Sequence, residues 1–567
     1  MKRKIFALIF RENKEGFLFL LLSVFSLCFI SCANLYIPFL YGRAIDKIIK
    51  GIFSKESIVE ICIFFIVQVI IYGLNFGIEY WLFSRKKFYQ HRASFELFKK
   101  LLKSEPSAFS KVPMNEYVYA IMVDTENLVS LCTYDLANFV RYLILFLGAI
   151  LLLSFFTSIG YISILLILLY LVLGYKLQLA MGEISEKMRG ANTDMVSKIM
   201  DPLYNYQYIK AHNAENRILR YYDASLKEFL HRRFVFNKIQ SFSFWLLKGL
   251  EVGISLLCLS IVILRQNPTL GEIVTISLVL TYLLQSANSL VNIIIGARSK
   301  VPSLKKVVSI VCLPPEYNIA GELPRGFAIK FNNVSYSQGS KTILANLNFE
   351  IGEREKVGIV GRSGEGKSTL VKMLLGLMGD YEGDIYLGEV ELRKISRSML
   401  RQVVTYIPQT PFIYPGTIRE NFTILDNYSD EEIWWALDMV GLKEYVESLP
   451  GQLNYQILST NIFLSGGEQQ KLSIARAFLR KNAKVVIVDE SVSHLDSLSE
   501  QKIFSALEKL CEGKTLIVIA HRISTLANLD KIHVLENGKI TKSGAHRDLI
   551  KNSELYREIC KLQLISM

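Results

Sequence analysis

Long apolar runs in roughly the first 300 residues constrain this chain more than any other feature. Each run is close to the roughly 20 residues that an α-helix needs to cross the hydrocarbon core of a bilayer. The six runs are Phe17–Tyr41, Ile58–Phe83, Phe139–Phe156, Tyr161–Ala180, Phe242–Leu264 and Ile273–Gly296. The chain has 567 residues, of which 51% are hydrophobic. It is therefore predicted to begin with an all-α membrane domain of six helices over residues 1–310, and because few residues precede Phe17 we expect no peptidase domain ahead of it.

The connections between these runs alternate between short and long. The two long ones, Ser84–Asn138 and Met181–Ser241, are rich in Lys and Arg, as is the N-terminal stub. Because Lys and Arg are enriched in cytoplasmic loops, both termini and both long loops are predicted to lie in the cytoplasm. The long loops have helical patterns, for example Ala93–Ser104, so we expect them to extend the membrane helices. The predicted location is a bacterial cytoplasmic membrane, with the chain crossing it several times.

Charge and cysteine usage exclude other classes of protein. The net charge of +13 suits cytoplasmic loops of a membrane protein, and no basic block is interleaved with exposed aromatic residues, so no nucleic-acid partner is expected. The eight cysteines contain no C-x-x-C pair, so neither a disulfide framework nor a zinc site is expected.

The remainder of the chain has a different character. A proline-containing linker is predicted over residues 311–326, and a second domain over residues 327–567. There, β-rich runs alternate with helical stretches, which indicates an α/β domain with a largely parallel core. The β-rich runs are Ala328–Tyr336, Lys356–Val360, Val403–Ile407, Val485–Val488 and Thr515–Ile519. The weaker strands near the start of this domain suggest an added antiparallel layer.

One strand candidate, Lys356–Val360, runs directly into Gly361–Thr369, and a helical run, Leu370–Leu377, follows. This strand–loop–helix context confirms the G-x-x-x-x-G-K-S pattern of a phosphate-binding loop. The glycines let backbone N–H groups surround phosphate oxygens, while Lys367 reaches the β- and γ-phosphates and Ser368 binds Mg²⁺. The residues predicted to bind ATP in this loop are Gly361, Ser363, Gly364, Gly366, Lys367, Ser368 and Thr369.

Two acids follow a second apolar strand candidate, Val485–Val488. Asp489 at the strand end is suited to hold the metal, and Glu490 is placed to accept a proton from the attacking water or to orient it. Alone, the pair would be read as two solvated carboxylates that close a strand. Beside a phosphate-binding loop, the catalytic interpretation is favoured.

A Ser-Gly-Gly turn, Ser465–Gly467, opens the helix-like stretch Leu472–Arg480 and offers N–H groups to an anion. Together these motifs resemble the nucleotide-binding domain of an ABC transporter. The whole chain resembles an ABC exporter half-transporter, in which a six-span membrane domain precedes one ATPase domain. The resemblance implies that Ser465, Gly466 and Gly467 bind the γ-phosphate of ATP held by a partner subunit. A second half-transporter in the surrounding lipid is therefore expected, and a homodimer would have two competent sites.

The resemblance assigns four further residues. Tyr336 matches the aromatic residue that stacks on adenine, although an ordinary strand aromatic is an alternative. Gln409 matches the glutamine that senses Mg²⁺ at the catalytic site and contacts the membrane domain. Asp496 matches the loop that links the two ATP sites, and His521 matches the switch histidine that contacts the γ-phosphate.

Three features depart from the family pattern. Glu468 stands where glutamine is commoner and adds a negative charge near the expected dimer interface. The segment Gln456–Phe463 lacks the usual Gly-Glu element, and His494 replaces a small residue. The effect of Glu468 on the strength of the ATP-closed dimer is left open, as is the effect of Gln456–Phe463 on coupling to the membrane domain. No physical reason explains His494.

The function implied is ATP hydrolysis coupled to export of a drug, a bacteriocin-like peptide or a lipid. A lipid or lipid-linked flippase is the alternative, and an ATP-gated channel or regulator is a third possibility. Polar residues within the spans bear on the cargo. Lys248 and Glu251 share one helix face, either as a functional site or as a surface ion pair. Gln285, Asn288 and Asn292 form a polar stripe that suits a polar or peptidic cargo or interhelical hydrogen bonds.

Overall fold

The computed structural model describes residues 14–49, 55–110, 114–155, 159–266, 268–316, 324–457, 464–489, 497–519 and 526–564. The chain divides into two compact units. The first consists of Met1–Lys103 with Val112–Leu313, and the second of Ser104–Lys111 with Pro314–Met567. The second unit is thus built from two separate stretches of the chain.

The first unit is helical. Its α-helices are α1 Lys14–Ile49, α2 Lys55–Leu102, α3 Met114–Tyr119, α4 Thr125–Ser130, α5 Leu136–Phe155, α6 Ile159–Tyr204, α7 Tyr206–Ala211, α8 Glu215–Gln266, α9 Leu270–Ser299 and α10 Val301–Val311. The π-helical turns Ala120–Asp124 and Leu131–Asp135 join α3, α4 and α5 into one helical stretch. The prediction that helices continue into the long polar loops is confirmed by α2, α6 and α8.

Five helical stretches among the described residues are long and apolar enough to cross a membrane. They are Leu21–Ile49, Phe65–Leu102, Glu116–Ser154, Glu215–Leu264 and Leu270–Val311. They contain all or most of every predicted span except the fourth, Tyr161–Ala180, which falls within α6. The first unit therefore carries the helices of a multi-pass membrane protein.

The start of α9 shows how local sequence places these helices. Thr269 accepts a hydrogen bond from the Glu272 backbone N–H at 3.2 Å, and the Glu272 carboxylate accepts one from the Thr269 N–H at 3.1 Å. This capping box satisfies N–H groups that the first helical turn leaves unpaired. Asp46 near the end of α1 accepts from the Thr269 hydroxyl and the Gly271 N–H, both at 2.8 Å. The polar ends of α1 and α9 are thereby joined.

The second unit contains a six-stranded sheet and an antiparallel sheet. Its strands are β1 Ile329–Gln338, β2 Lys341–Ile351, β3 Lys356–Val360, β4 Glu382–Leu387, β5 Val390–Glu391, β6 Val404–Ile407, β7 Gly416–Thr417, β8 Gln456–Ile457, β9 Val485–Asp489, β10 Thr515–Ile519, β11 Lys531–Glu536 and β12 Lys539–Gly544. The large sheet has the order β12-β11-β3-β10-β9-β6, in which only the β11–β12 pair is antiparallel. The order β2-β1-β4-β5 forms the antiparallel sheet that was predicted.

The helices of the second unit connect these strands. They are α11 Lys367–Leu374, α12 Arg397–Val403, α13 Ile418–Thr423, α14 Asp430–Met439, α15 Lys443–Ser448, α16 Gly466–Phe478, α17 Ser497–Leu510, α18 His546–Asn552 and α19 Glu554–Leu564. Two of these helices begin earlier than the sequence predicted: α11 begins at Lys367 rather than Leu370, and α16 at Gly466 rather than Leu472. Both helices open with polar and glycine residues, which hydrophobic periodicity does not detect.

The strands of the large sheet are apolar on both faces. Along β9, Val485 and Ile487 belong to one buried cluster, whereas Val486 and Val488 belong to another. Because successive strand residues point to opposite faces, the sheet is covered on both sides. Such a sheet exposes mainly its strand ends to ligands.

A short segment of the second unit comes from between α2 and α3. Ser104 forms an antiparallel bridge with Pro315, and the Glu105 N–H donates to the Pro314 carbonyl at 3.2 Å. Ser104 is 3% exposed. These backbone contacts explain why residues 104–111 group with a domain that begins two hundred residues later.

Candidate functional site: a phosphate-binding loop and a helix-capping signature

The Gly361–Thr369 loop leaves β3 and enters α11 in the middle of the large sheet. Gly366 has φ +101°, and a Cβ there would lie 2.7 Å from Leu344 Cδ2. A Cβ at Gly361 would lie 2.4 Å from the Leu535 carbonyl oxygen. Only glycine fits these positions, because a side chain would meet atoms far inside normal contact distance. The backbone thus follows the tight path that presents N–H groups to an anion.

Lys367 lies inside this loop rather than in solvent. Its side chain is buried, and Nζ donates to the carbonyl oxygens of Gly361 at 2.7 Å and Arg362 at 2.9 Å. In the next two positions, Ser368 is exposed and Thr369 half-buried at the first turn of α11. A cation and a hydroxyl therefore stand at the N-terminus of a helix, which is the donor set that a nucleotide phosphate chain requires.

The parallel strands bring the predicted metal residues to the same edge of the sheet. Ile519 pairs with Ile359 on β3 and with Asp489 on β9, so these three positions form one row across the sheet. Two strand spacings separate Asp489 from Ile359, or roughly 10 Å. Gln409 is exposed two residues beyond the end of β6, at this same edge. The loop, Asp489 and Gln409 thus lie at the carboxyl ends of β3, β9 and β6, the edge where open α/β sheets bind ligands.

Asp489 is a buried carboxylate at the end of β9, with 7% of its surface exposed. The Tyr406 hydroxyl donates to Asp489 Oδ2 at 3.2 Å, and burial together with this carboxylate raises the pKa of Tyr406. Among the described residues, no cluster of three or more His, Cys, Asp or Glu side chains forms a metal cage. This arrangement fits Mg²⁺, which is commonly held by one or two carboxylates together with substrate phosphates.

The Ser465–Gly467 turn begins α16 with a capping box. The Ser465 hydroxyl accepts from the Glu468 N–H at 3.3 Å, and the Glu468 carboxylate accepts from the Ser465 N–H at 2.7 Å. Glu468, the departure from the commoner glutamine, therefore has a structural role as the third residue of the helix. Its negative charge also suits the positive end of the helix dipole.

Comparison with protein families agrees with this arrangement. Residues 20–287 match the family described as "ABC transporter transmembrane region", and residues 344–493 match the family "ABC transporter". The chain belongs to the ABC exporters. As a member of this family it hydrolyses ATP and couples hydrolysis to export across a membrane.

Individual relatives of this ABC exporter match from about two thirds to nearly all of the chain. A protein of Rickettsia typhi named as an export ATP-binding/permease protein is 27% identical, and the match covers 96% of each chain. The lactococcin-A transport/processing ATP-binding protein LcnC of Lactococcus lactis is 31% identical over 65% of this chain and 52% of its own length. The fold matches the structure of a bacterial Atm1-family ABC exporter with ATP bound, with a TM-score of 0.86 and 21% identity, covering 97% of this chain and 99% of that one.

The other predicted residues of the ATP site differ in what the structure describes. Tyr336 lies on β1, pairs with Leu344 and packs half-buried against the core, a position compatible with either of its two interpretations. Glu490, Asp496 and His521 lie outside the described residues. Their roles stay predictions.

One buried polar network near the site was missed by the sequence analysis. Arg476 on α16 donates from its two terminal nitrogens to the Phe412 carbonyl oxygen and to Asn421 Oδ1. Asn421 is fully buried; its amide donates to the carbonyls of Tyr414 and Thr417, and its oxygen accepts from the Tyr414 N–H at 2.8 Å. The network ties α16 to the segment that follows Gln409. No local sequence signal marks it, because its members lie 55 and 64 positions apart.

Proposed function

We propose that two copies of this ABC exporter form a homodimer with two ATP sites, each shared between the copies. In each site the Gly361–Thr369 loop of one copy would face the Ser465–Gly467 turn of the other. The observation that carries this proposal is the open start of α16: a Cβ built at Gly466 meets no described atom within 4 Å. Among the described residues, the start of α16 therefore leaves room for a phosphate from outside its own chain.

Within each site, we assign the phosphate contacts to the loop. Lys367 would exchange its bonds to two loop carbonyls for bonds to the β- and γ-phosphates, which are stronger because both partners are charged. Ser368 and Asp489 would hold Mg²⁺, with Gln409 sensing it. The metal would supply neutralisation of the charge that develops during phosphoryl transfer.

The remaining predicted roles complete the site. Glu490 would orient the attacking water or take its proton, and His521 would contact the γ-phosphate. Asp496 would link the two ATP sites, and Tyr336 would stack on adenine. Closure of the paired ATPase units on ATP, followed by their release on hydrolysis, would switch the membrane helices between inward- and outward-facing states.

Mixing two inactive variants tests the shared site. Lys367→Met removes the loop cation, and Gly466→Glu places a charged side chain at the start of α16, where a Cβ meets no described atom within 4 Å. Each homodimer should be inactive. In a mixed dimer, both defects fall in one composite site and the other site is intact. Random pairing makes half of the dimers mixed, so co-expression should restore about one quarter of the wild-type ATPase rate.

The readout is the vanadate-sensitive ATPase rate of purified protein in lipid. A mixture that stays as inactive as its components would show that each site is built within one chain. Glu490→Gln should also abolish hydrolysis, and undiminished hydrolysis in that variant would contradict its assigned role. Wild-type protein purified and assayed in parallel is the control for loss during preparation.

The proposed location is a bacterial cytoplasmic membrane with both termini in the cytoplasm. Cys312, which is exposed just after α10, provides the test in a variant whose other cysteines are replaced. A membrane-impermeant maleimide should label Cys312 in inside-out vesicles and leave it unlabelled in right-side-out vesicles. The opposite pattern would reverse the orientation.

The proposed cargo is a polar or peptidic molecule, with a drug or a lipid as the other classes. The name of the Lactococcus lactis relative refers to transport of lactococcin A, which favours a peptide. Lipid flipping is the second candidate function, because the same fold would serve it. Stimulation of ATPase activity by peptides and not by added phospholipids would separate the two.

A further inference from the structure

A cavity of about 240 Å³ lies among α6, α8 and α9 in the first unit. Its walls mix apolar side chains such as Phe244 and Leu247 with polar ones from all three helices. Ligand sites commonly enclose roughly 300–1,000 Å³ and combine apolar walls with a few placed polar groups. This cavity is slightly smaller, so it would hold a small ligand or one part of a larger one.

Two buried hydroxyl groups in the cavity lining have no hydrogen-bond partner among the described residues. They belong to Tyr170 on α6 and Ser243 on α8, each of which is 3% exposed. A buried hydroxyl without a partner is unfavourable, and such groups in native proteins usually mark a missing ligand, ion or water. Two of them in one cavity indicate that something polar completes this site.

An ion pair lies in the same wall. Lys248 Nζ is 2.8 Å from Glu251 Oε2, one helical turn along α8. The side chains are unequally exposed, 49% for Lys248 and 17% for Glu251. Water therefore solvates the carboxylate less, and its charge depends more on the partner for compensation. A ligand with one charge would capture one member of the pair and leave the other uncompensated. A zwitterion would compensate both members at once.

The third wall, on α9, carries amides. Asn292 Nδ2 is 3.5 Å from Asn288 Oδ1, a long contact, and both residues line the cavity, whereas Gln285 of the predicted polar stripe does not. Side-chain amides offer both donors and acceptors, which match a peptide bond. The cavity therefore presents paired opposite charges, amides and hydroxyls beside apolar side chains.

We propose that this cavity binds a zwitterionic, peptide-like part of the exported cargo. The carboxylate of the ligand pairs with Lys248, its ammonium group pairs with Glu251, and its amides bond to Asn288 and Asn292. Tyr170 and Ser243 contribute the hydroxyls that otherwise lack partners. This assignment rests on the proposed export of a polar or peptidic cargo and names the site and the charge pattern that would recognise it.

Binding of four forms of one tripeptide to the full-length protein in lipid nanodiscs, without nucleotide, tests the proposal. The forms are Ala-Leu-Ala with free termini, its N-acetylated form, its C-amidated form and the doubly blocked form. The free tripeptide should bind, and blocking either terminus should weaken binding about tenfold because one charged hydrogen bond is lost.

Substitutions then assign each charge to its partner. Lys248→Met should weaken the free tripeptide about tenfold and have little effect on the C-amidated form, which already lacks the carboxylate. Glu251→Gln should behave in the same way toward the N-acetylated form. The exchanged pair, Lys248→Glu with Glu251→Lys, keeps an ion pair in the helix and should retain binding of the free tripeptide. Glu228→Gln, which breaks the exposed pair with Arg232 on the same helix, is the matched control.

The outcomes separate this inference from the proposed function. Equal binding of all four forms, or no binding to the wild type, would overturn the assignment, as would equal weakening of every form by Lys248→Met. Weakening by Glu228→Gln equal to that by Lys248→Met would also overturn it. The mixed-dimer ATPase test contains no peptide, so the shared ATP site stands or fails independently of these measurements.

Discussion

Replacing Arg476 tests whether the buried network of Arg476, Phe412 and Asn421 holds α16 in place. Arg476 is 9% exposed, and burial lowers its pKa to about 10. Relative to its ordinary value of 12.5, at about 1.4 kcal/mol for each pKa unit, holding the charge in this site costs about 3 kcal/mol. Since the lowered pKa remains far above neutrality, the side chain stays charged and the cost is present throughout the physiological pH range.

Two charge-assisted hydrogen bonds oppose this cost. Each contributes about 1.5–3 kcal/mol, so the bonds to the Phe412 carbonyl and to Asn421 together contribute about 3–6 kcal/mol. Arg476→Lys keeps the charge and its desolvation cost, but one ammonium group cannot reach both acceptors. It should therefore lose about 1.5–3 kcal/mol. Arg476→Met loses both bonds but recovers the desolvation cost, so its loss should be about 0–3 kcal/mol.

The assay is thermal unfolding of the full-length protein in lipid, followed by tryptophan fluorescence. Trp434 and Trp435 lie in the second unit on α14, so replacing Trp81 and Trp245 by Phe confines the signal to that unit. The Lys variant should lower Tm by about 3–12 °C at roughly 2–4 °C per kcal/mol. Lys481→Met, which breaks the exposed ion pair with Glu432, should have almost no effect. A Met variant less stable than the Lys variant by 2 kcal/mol or more would refute the role assigned to desolvation, because hydrogen bonds alone would then set the order.

Three further predictions concern the second unit. Gly366→Ala would place a Cβ on a residue with positive φ and only 2.7 Å from Leu344. It should therefore destabilise the unit by about 2 kcal/mol or more and abolish ATP binding. An unchanged Tm and an unchanged nucleotide affinity would contradict this prediction. Burial is the main cause, and the charge of Lys531 a smaller one, of a His533 pKa lowered to about 4. As the pH falls from 6.5 to 4, His533 is therefore protonated in the unfolded chain but stays neutral in the folded one. The free energy of unfolding should fall by about 3 kcal/mol over this pH range because of His533. In urea unfolding, the decrease between pH 6.5 and pH 4 should be about 3 kcal/mol smaller for His533→Gln than for the wild type. Glu468→Gln preserves an acceptor for the capping box but removes a negative charge near the expected γ-phosphate. KM for ATP should therefore fall roughly threefold, because the repulsion between Glu468 and the phosphate is lost. An unchanged or higher KM would exclude this repulsion.

The features predicted from the sequence were those with a strong local signal. The loop at Gly361–Thr369 follows a short apolar strand and precedes a helix, so its residue types and its context agree. The strand Val485–Asp489 is apolar up to its last residue, as a strand buried on both faces requires. Hydropathy likewise located the membrane spans. The second predicted span ends at Phe83 whereas α2 continues to Leu102, because the part of a helix outside the bilayer needs no apolar side chains.

The features that were not predicted depend on contacts between distant positions. Arg476 looks like any basic residue of an amphipathic helix, and only the fold brings Phe412 and Asn421 to it. The cavity beside Lys248 needs three helices to form its walls, so the sequence showed its charges but not the hydroxyl of Tyr170. Glu468 was noticed as a departure, yet its bond to the Ser465 N–H follows from a Ser-x-x-Glu pattern that the sequence already contained.

The bridge between Ser104 and Pro315 has a consequence for proteolytic cleavage of the chain. The chain passes into the ATPase unit at residue 104 and again at residue 314, and backbone hydrogen bonding holds these two entry points side by side. A protease cut between Leu313 and Pro314 would leave a nicked protein whose fragments still share one folded unit.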